Sequence, residues 1–516
     1  MLVSDTLFKL IKSLNKQEKI NFKSFCQGNH KKHVQLFDAI ASQNRYDEEK
    51  IKRQFKDEVF VKQLSVTKNY LYKIIILSLC NYDTDEVLLP QMIHEIKLLY
   101  NKALYSLCEK VIHKAKKIAE ETEQFIVLYE LLDWERKVLY NYATNPTARK
   151  KLQAIVPAQL SALDKQQNMV LFRKLYNDCF IVGTQSLSVR DKAQVKLLNK
   201  LMRHPLLSHP GKALTFLSKI NFHLIHALYH KLTGNDHQAY EQHKNQGALF
   251  ELKENHIYLK TYKQAYCSTL CALNGYEAMF GKEEEFNSTF QKLTAFLEKN
   301  PELKKLYSLT MYANRSFLMY RIGNYHEIPL FMADFETDFA VFKGDIRKEH
   351  LLVLYINFSC LYVGNQDYKN ALHWLNKILQ DASSKEFRED IYCGAYILNL
   401  IIHYELGNEE LLEPLTRSTY RYLLKRKNLY NFENTILTFI RTELIKVKTH
   451  SELILAFQRL HRQLVQLSKD PFERRFLDGF DYISWLESKI ENKNFSEIIK
   501  SKNQISIATP SVNYTS

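Results

Sequence analysis

Among the residue types that can do chemistry, histidine has the spacing in this chain that most resembles a metal-binding pattern. Eight of the 18 histidines fall within the 53 residues from His204 to His256. Three of them, His223, His226 and His230, stand three and four residues apart, which places them on one face of a helix. Three imidazoles on one face could ligate zinc or a similar ion. No cysteine or acidic residue accompanies them at a known ligand spacing. We therefore expect packing imidazoles that bind no metal, with pKa values depressed by burial.

Other chemically reactive residues form no recognisable constellation. Cys267 and Cys271 stand one helical turn apart in an apolar stretch, which is more typical of core thiols than of metal ligands. The eight cysteines are scattered without a Cys-x-x-Cys motif, which favours free thiols in a reducing compartment. There is no glycine-rich phosphate loop, no G-x-S-x-G motif and no H-E-x-x-H motif. We expect a protein that is not an enzyme and carries no cofactor.

The elements that position these residues are indicated by five regularly spaced glycines. They recur at intervals of 41 to 47 residues, each between two apolar-periodic stretches, and four of the five are followed by asparagine. They are Gly234, Gly281, Gly323, Gly364 and Gly407. Such a period predicts helix–turn–helix units that stack on their neighbours in a solenoid, with the glycines at the turns between helices. The scarcity of Gly (13) and Pro (10) in 516 residues also favours long helices over sheets. We predict an all-α fold.

One of these units resembles a known family. The stretch 355–379 reads YINFSCLYVGNQDYKNALHWLNKIL and resembles a tetratricopeptide repeat. In that family, aromatic and small residues of the first helix pack against an aromatic residue and an alanine of the second. The matching positions are Tyr355, Phe358, Ser359, Tyr362, Tyr368 and Ala371. The units around the other four glycines match in part, and the period exceeds the family's usual value of about 34 residues.

The resemblance implies an α-α superhelix that binds a protein or peptide segment in a groove lined by the first helix of each unit. Positions between the packing residues should face that groove. They include Lys231, Phe317, Tyr320, Arg321 and Tyr404. A mixture of aromatic and cationic groups suits an extended peptide with acidic or aromatic side chains.

Breaks in the apolar pattern divide the chain into segments. We predict an N-terminal helical bundle at 1–90, irregular helical hairpins at 91–204, tetratricopeptide-like repeats at 205–430, a helical cap at 431–502 and a disordered tail at 503–516. Within the second segment, Pro146 and Pro157 each indicate a helix break.

The charge distribution leaves a second function open. The net charge is +15, and the first 80 residues contribute +7 of it. The segment Gln63–Leu79, preceded by Ile51–Phe55, loosely resembles a helix-turn-helix, with Lys68, Asn69 and Lys73 on the polar face of its second helix. The alternative is therefore a nucleic-acid-linked regulator. No stretch approaches 18 apolar residues and no secretion signal is present, so we expect no membrane span and a cytoplasmic location.

Overall fold

The computed structural model describes residues 4–14, 16–26, 31–80, 88–142, 144–183, 192–342, 348–380, 388–426 and 429–508. Every regular element in these ranges is helical, which confirms the predicted all-α fold. The chain divides into two compact units, Met1–Asp164 and Lys165–Ser516. This division is coarser than the five predicted segments, whose boundaries stay predictions.

The N-terminal unit begins with five helices around one apolar core. Phe22, Phe37, Ile51 and Leu71 are among its fully buried side chains. Three antiparallel helices and the start of a ninth follow. The bounds are α1 (Ser4–Ser13), α2 (Lys16–Phe25), α3 (Lys31–Ala41), α4 (Glu48–Gln54), α5 (Leu64–Cys80), α6 (Leu88–Asn101), α7 (Tyr105–Glu121), α8 (Phe125–Tyr140) and α9 (Pro146–Val182).

The predicted break at Pro157 is wrong. Pro146 is the first residue of α9, as expected for a proline at a helix start, but Pro157 lies inside the same helix. Ile155 and Ala162, on either side of it, are buried. Burial of this face stabilises the helix enough to offset the lost backbone hydrogen bond, a cost of about 3 kcal/mol.

The C-terminal unit is a succession of helices, most of them packed on a helix close to them in sequence, as in a solenoid. The bounds are α10 (Lys192–Met202), α11 (Phe216–Thr233), α12 (Asp236–Glu251), α13 (His256–Thr261), α14 (Lys263–Met279), α15 (Glu283–Lys299), α16 (Pro301–Ile322), α17 (Ile328–Phe342), α18 (Lys348–Gly364), α19 (Tyr368–Leu379), α20 (Glu389–Glu405), α21 (Glu409–Lys425), α22 (Asn431–Thr442), α23 (His450–Leu467), α24 (Pro471–Arg474), α25 (Tyr482–Glu491) and α26 (Phe495–Ala508). Helix α26 continues into the predicted disordered tail, and the rest of that tail, 509–516, lies outside the described residues.

The five regularly spaced glycines lie at helix ends, as predicted. Gly234 and Gly323 cap α11 and α16 in the left-handed conformation, at φ +93° and +71°. Gly281 and Gly407 also have positive φ in the turns after α14 and α20. Gly364 differs, because it is the last residue of α18 and the left-handed position falls on Gln366. The glycine period therefore reports the hairpin spacing correctly.

The last helices return to a much earlier part of the C-terminal unit. Helix α26 packs on α16, and α25 packs on α23. The side-chain amide of Asn503 donates a hydrogen bond to the carbonyl of Arg321 at 2.8 Å. A single apolar core runs from α16 to α26. The predicted cap segment therefore covers the C-terminal end of α16 as well as ending the helical stack.

Candidate binding sites in the C-terminal unit

The predicted groove residue Tyr320 does not face an open groove. It is 1% exposed, and its ring stacks on Phe480 and Phe495 at centroid distances of 6.3 and 5.9 Å. The backbone N–H of Asp481 donates a hydrogen bond to its hydroxyl at 2.9 Å. The returning C-terminal helices therefore cover Tyr320, and its prediction as a groove position is wrong for this reason.

The other predicted groove residues are half-buried. Phe317 packs against the apolar core, and Arg321 follows Tyr320 on the same covered helix end. Lys231 lies in the last turn of α11, far along the chain from these residues. Tyr404 makes edge contacts with the rings of Phe457 and Trp485. The assignment of these four residues to a peptide-binding groove stays a prediction.

Tyr404 does line a cavity of about 310 Å³ beside the ends of α20 and α25 and the start of α23. Burial raises the pKa of Tyr404 to about 12, with a smaller contribution from Glu405. Lys489, another lining residue, forms a 2.6 Å ion pair with Glu405, whose carboxylate also accepts a hydrogen bond from Trp485 Nε1 at 2.6 Å. Lys493, the second lining lysine, forms a 2.8 Å ion pair with Glu491. Because both lysine charges are already matched, this cavity is a poor anion site.

The stretch 355–379, which resembles a tetratricopeptide repeat in sequence, contributes to a closely packed pair of helices. It forms the α18–α19 hairpin, in which Phe358, Ser359 and Ala371 are fully buried. The Ser359 hydroxyl donates a hydrogen bond to the Ala371 carbonyl at 3.0 Å, which two larger side chains would prevent. The remaining matched aromatic residues are half-buried against the same core. They are Tyr355, Tyr362 and Tyr368.

The three aligned histidines each lie half-buried on α11 in a packing role. His223 Nδ1 is 2.9 Å from Gln242 Oε1 on α12, and His226 Nε2 is 3.1 Å from the Leu207 carbonyl. Both partners are acceptors, so each imidazole donates and is protonated on that nitrogen. The His230 ring lies 6.5 Å from the His226 ring. In the described ranges, no three His, Cys, Asp or Glu side chains are grouped so that they could hold a metal ion.

Burial lowers the pKa of all three histidines, as predicted from the sequence. For His223 and His226, hydrogen bonds oppose this shift without reversing it, and His226 further lowers the pKa of His230. His243 on α12 follows the same physics more strongly, because burial lowers its pKa to about 4. The α11–α12 hairpin thus holds uncharged imidazoles near neutral pH.

Acid is expected to destabilise this hairpin. Because the folded pKa values lie below the unfolded value of about 6.5, the unfolded chain binds more protons. The stabilisation is present above that unfolded value and is lost as pH falls through the folded pKa values. We expect the melting temperature to fall between about pH 7 and about pH 5, and to fall less in the triple variant His223→Gln, His226→Gln, His230→Gln. A chelator at neutral pH is expected to leave the melting curve unchanged, whereas a large decrease would identify a metal site.

A mainly apolar cavity of about 220 Å³ lies among α15, α16 and α17. Phe290 and Leu297 of α15 and Met311 of α16 supply apolar walls. On α16 the lining positions recur at helical spacing, which explains how one helix face can form the floor. They are Lys304, Ser308, Met311, Tyr312 and Arg315. We call this feature the α15–α17 cavity.

Charged groups of both signs stand around the α15–α17 cavity. Lys304 and Arg315 supply positive charge, and Glu298 and Asp338 supply negative charge. The Tyr312 hydroxyl donates a hydrogen bond to Asp338 at 2.9 Å, and burial together with this carboxylate raises its pKa above the ordinary value. Arg315 is only loosely paired with Glu327, at 3.8 Å. The cavity therefore combines an apolar interior with a rim able to form ion pairs.

Sequence reasoning did not find the α15–α17 cavity. Phe290, Leu297 and Met311 have the spacing of ordinary core positions, and nothing in the sequence indicates that they line a cavity. The only available signal was the charged flank of Lys304 and Arg315 on the same helix face as Met311.

In the part of the chain that the structure describes, no helix has the length and apolarity needed to cross a membrane. Neither a scan against protein-family models nor searches of curated proteins and of solved structures returned a match.

Proposed function

We propose that this chain is a non-catalytic helical-repeat protein, similar to tetratricopeptide-repeat scaffolds but with longer units, that binds a segment of another protein. The observation that carries the proposal is the α15–α17 cavity, an apolar recess with charged side chains at its rim. Binding hot spots are typically buried apolar or aromatic anchors surrounded by polar groups. A cavity of about 220 Å³ suits one large side chain of a partner rather than a whole cofactor.

The favoured partner is a peptide with an aromatic or long aliphatic anchor beside an acidic residue. The anchor would occupy the apolar interior, and the acidic group would pair with Arg315, whose existing contact with Glu327 is long. We also propose a cytoplasmic location. The seven cysteines whose side chains the structure describes are buried free thiols, as is usual in a reducing compartment.

Met311→Lys is expected to reduce peptide binding at least about tenfold, because an ammonium group in the apolar recess opposes the anchor and costs desolvation energy. The full-length protein and the variant would be applied to an array of synthetic peptides that vary the anchor and its acidic neighbour. Leu455→Lys is the matched control, since Leu455 is an exposed leucine on α23, away from the cavity. Equal melting curves would show that both variants fold.

Two results would contradict this assignment. One is an unchanged peptide pattern for Met311→Lys, and the other is an equal loss for Leu455→Lys. Strong retention on heparin that falls steeply with salt would instead support the nucleic-acid-linked alternative.

The geometry gives that alternative less support. Lys68, expected at the DNA-facing start of the second helix, forms a 2.6 Å ion pair with Glu48 and lies 3.3 Å from the Tyr46 hydroxyl. Its side chain is only 12% exposed. The Lys68 ammonium group is therefore paired within the N-terminal helices and is poorly placed to contact a phosphate. Lys73 on the same helix is exposed.

A further inference from the structure

Four aromatic side chains form a row where α6 ends, α7 begins and α8 ends. The ring centroid of Tyr100, near the end of α6, lies 5.5 Å from that of Tyr105, the first residue of α7. It also lies 5.5 Å from the ring centroid of Trp134 on α8. The ring of Tyr142, two residues beyond α8, lies 6.3 Å from that of Tyr105. We call these four residues the Trp134 cluster.

Each side chain of the Trp134 cluster keeps part of its surface in solvent. Tyr142 is 38% exposed, and the other three side chains are half-buried. Within the described ranges, no hydrogen bond is formed by the indole Nε1 of Trp134 or by the three tyrosine hydroxyls. Tyrosine and tryptophan are enriched at binding surfaces, because the ring buries a large area and the polar tip can still bind a partner. The cluster therefore offers aromatic surface together with four available hydrogen-bond donors.

The rings of the Trp134 cluster meet at steep angles. The ring planes are inclined by 61° between Tyr100 and Tyr105, by 65° between Tyr100 and Trp134 and by 87° between Tyr105 and Tyr142. Rings at such angles enclose recesses and do not form one flat platform, which the stacked bases of a single-stranded nucleic acid would need. A polyproline II helix is ridged, with three residues per turn, and its proline rings fit between aromatic side chains.

The available donors also suit a polyproline II segment. Such a segment has no internal hydrogen bonds, so its carbonyl oxygens remain acceptors. The indole N–H is only a donor, and a tyrosine hydroxyl can donate as well. The four donors of the Trp134 cluster can therefore bind the carbonyl oxygens of the segment whose side chains the rings contact.

Positive charge is in excess beside the Trp134 cluster. Two cations share the carboxylate of Asp133, with Arg136 Nε at 3.0 Å and Lys137 Nζ at 2.9 Å. The Lys137 ammonium group also lies 4.3 Å from the ring centroid of Trp134. Lys102, in the turn after α6, is exposed and forms no ion pair with a described residue. A carboxylate on a partner would complement this excess of positive charge.

The other carboxylates of α8 do not cancel this excess. Glu135 forms a 2.6 Å ion pair with Lys116 on α7, and Glu130 forms a 3.5 Å ion pair with Lys97 on α6. Every carboxylate of α8 thus already has a cationic partner. An acidic residue of a partner can therefore reach Lys102 without competition from an unpaired carboxylate of this helix.

We propose that the Trp134 cluster binds a proline-rich segment of another protein in the polyproline II conformation, with an acidic residue beside the prolines. The proline rings pack between the aromatic side chains, and the indole N–H and tyrosine hydroxyls donate to the carbonyl oxygens of the segment. The acidic residue pairs with Lys102. This surface belongs to the N-terminal unit and does not depend on the α15–α17 cavity.

Tryptophan fluorescence of the full-length protein tests the proposal, because the other two tryptophans are buried. Trp374 and Trp485 are 8% and 4% exposed. The probe is a synthetic octaproline peptide preceded by two aspartates. We expect a saturable change in emission that Trp134→Phe abolishes. A glycine–serine peptide preceded by the same two aspartates is expected to cause no change.

Two variants test the rings, and a third tests the charge. Tyr100→Ala and Tyr142→Ala are each expected to weaken binding of the octaproline peptide at least about tenfold. Tyr129→Ala is the matched control, since Tyr129 is an exposed tyrosine in the first half of α8, outside the cluster. Lys102→Glu is expected to weaken binding of the aspartate peptide and to favour a peptide with two lysines in place of the aspartates. Equal melting curves would show that the variants fold.

The proposal is overturned if the octaproline peptide causes no saturable change, or if the same change persists in Trp134→Phe. Unchanged affinity in Tyr142→Ala would also overturn it, and this variant lies beyond the end of α8, so its helix is preserved. A change caused by a single-stranded oligonucleotide but not by the octaproline peptide would assign the cluster to nucleic acid instead. Met311→Lys is expected to leave the titration unchanged, so a failure here is distinct from a failure of peptide binding at the α15–α17 cavity.

Discussion

Gly364→Ala is expected to destabilise the C-terminal unit by about 3 kcal/mol, because the added methyl group overlaps a buried ring. A Cβ atom at this position would lie 2.6 Å from Tyr325 Cζ and 2.9 Å from its Cε1, and it would also collide with the hydroxyl oxygen. Tyr325 is 7% exposed, and its hydroxyl donates a hydrogen bond to the Tyr320 carbonyl at 3.2 Å. The ring therefore cannot turn away, and either α18 or the turn between α16 and α17 that carries Tyr325 must shift.

Gly394→Ala is the control that isolates the overlap. Gly394 also lies in a helix, α20, but no atom comes within 4 Å of its added Cβ. Alanine is a better helix former than glycine by about 1 kcal/mol, so this variant is expected to be equally or more stable. Urea denaturation followed by circular dichroism would compare the two midpoints. Equal midpoints would show that α18 adjusts to the methyl group and that the close approach of Tyr325 is not a constraint.

Gly364 also shows how far the sequence predicts this fold. Its place in the glycine period correctly indicated a helix end, because helix termination is a local property of a few residues. The contact with Tyr325 comes from the preceding hairpin, 39 positions away, and no local pattern encodes it. The same limit applies to Pro157, where burial of neighbouring side chains outweighs the local preference for a helix break.

The candidate sites were harder to predict than the helices. The alignment of His223, His226 and His230 on one face and their lowered pKa values follow from spacing and burial, so the sequence sufficed. The α15–α17 cavity depends on how three helices pack against one another, and the burial of Tyr320 depends on a segment about 160 residues later. The groove residues were predicted from the repeat pattern of single helical units. That prediction assumes that no other part of the chain covers the first helix of the unit. Here the returning C-terminal helices cover that face.

Tyr320→Ala is expected to destabilise the C-terminal unit by about 4 kcal/mol, because it removes a fully buried aromatic side chain and leaves a cavity. Tyr320→Phe keeps the stacking on Phe480 and Phe495 but leaves the Asp481 N–H without its acceptor, at a cost of about 1–2 kcal/mol. The ratio of the two losses in unfolding free energy separates the contribution of ring packing from that of the hydroxyl hydrogen bond.

Hydrogen exchange would locate the effect. In Tyr320→Ala we expect the amides of α25 and α26 to lose protection more than those of α11 and α12, because α26 packs directly on α16. Tyr420→Ala is the control, since Tyr420 is an exposed tyrosine on α21. If Tyr320→Ala instead leaves both stability and the protection of α25 and α26 unchanged but abolishes peptide binding, the side chain is accessible to a partner. The groove predicted from the sequence would then be the binding surface, and the covering role of the C-terminal helices would be wrong.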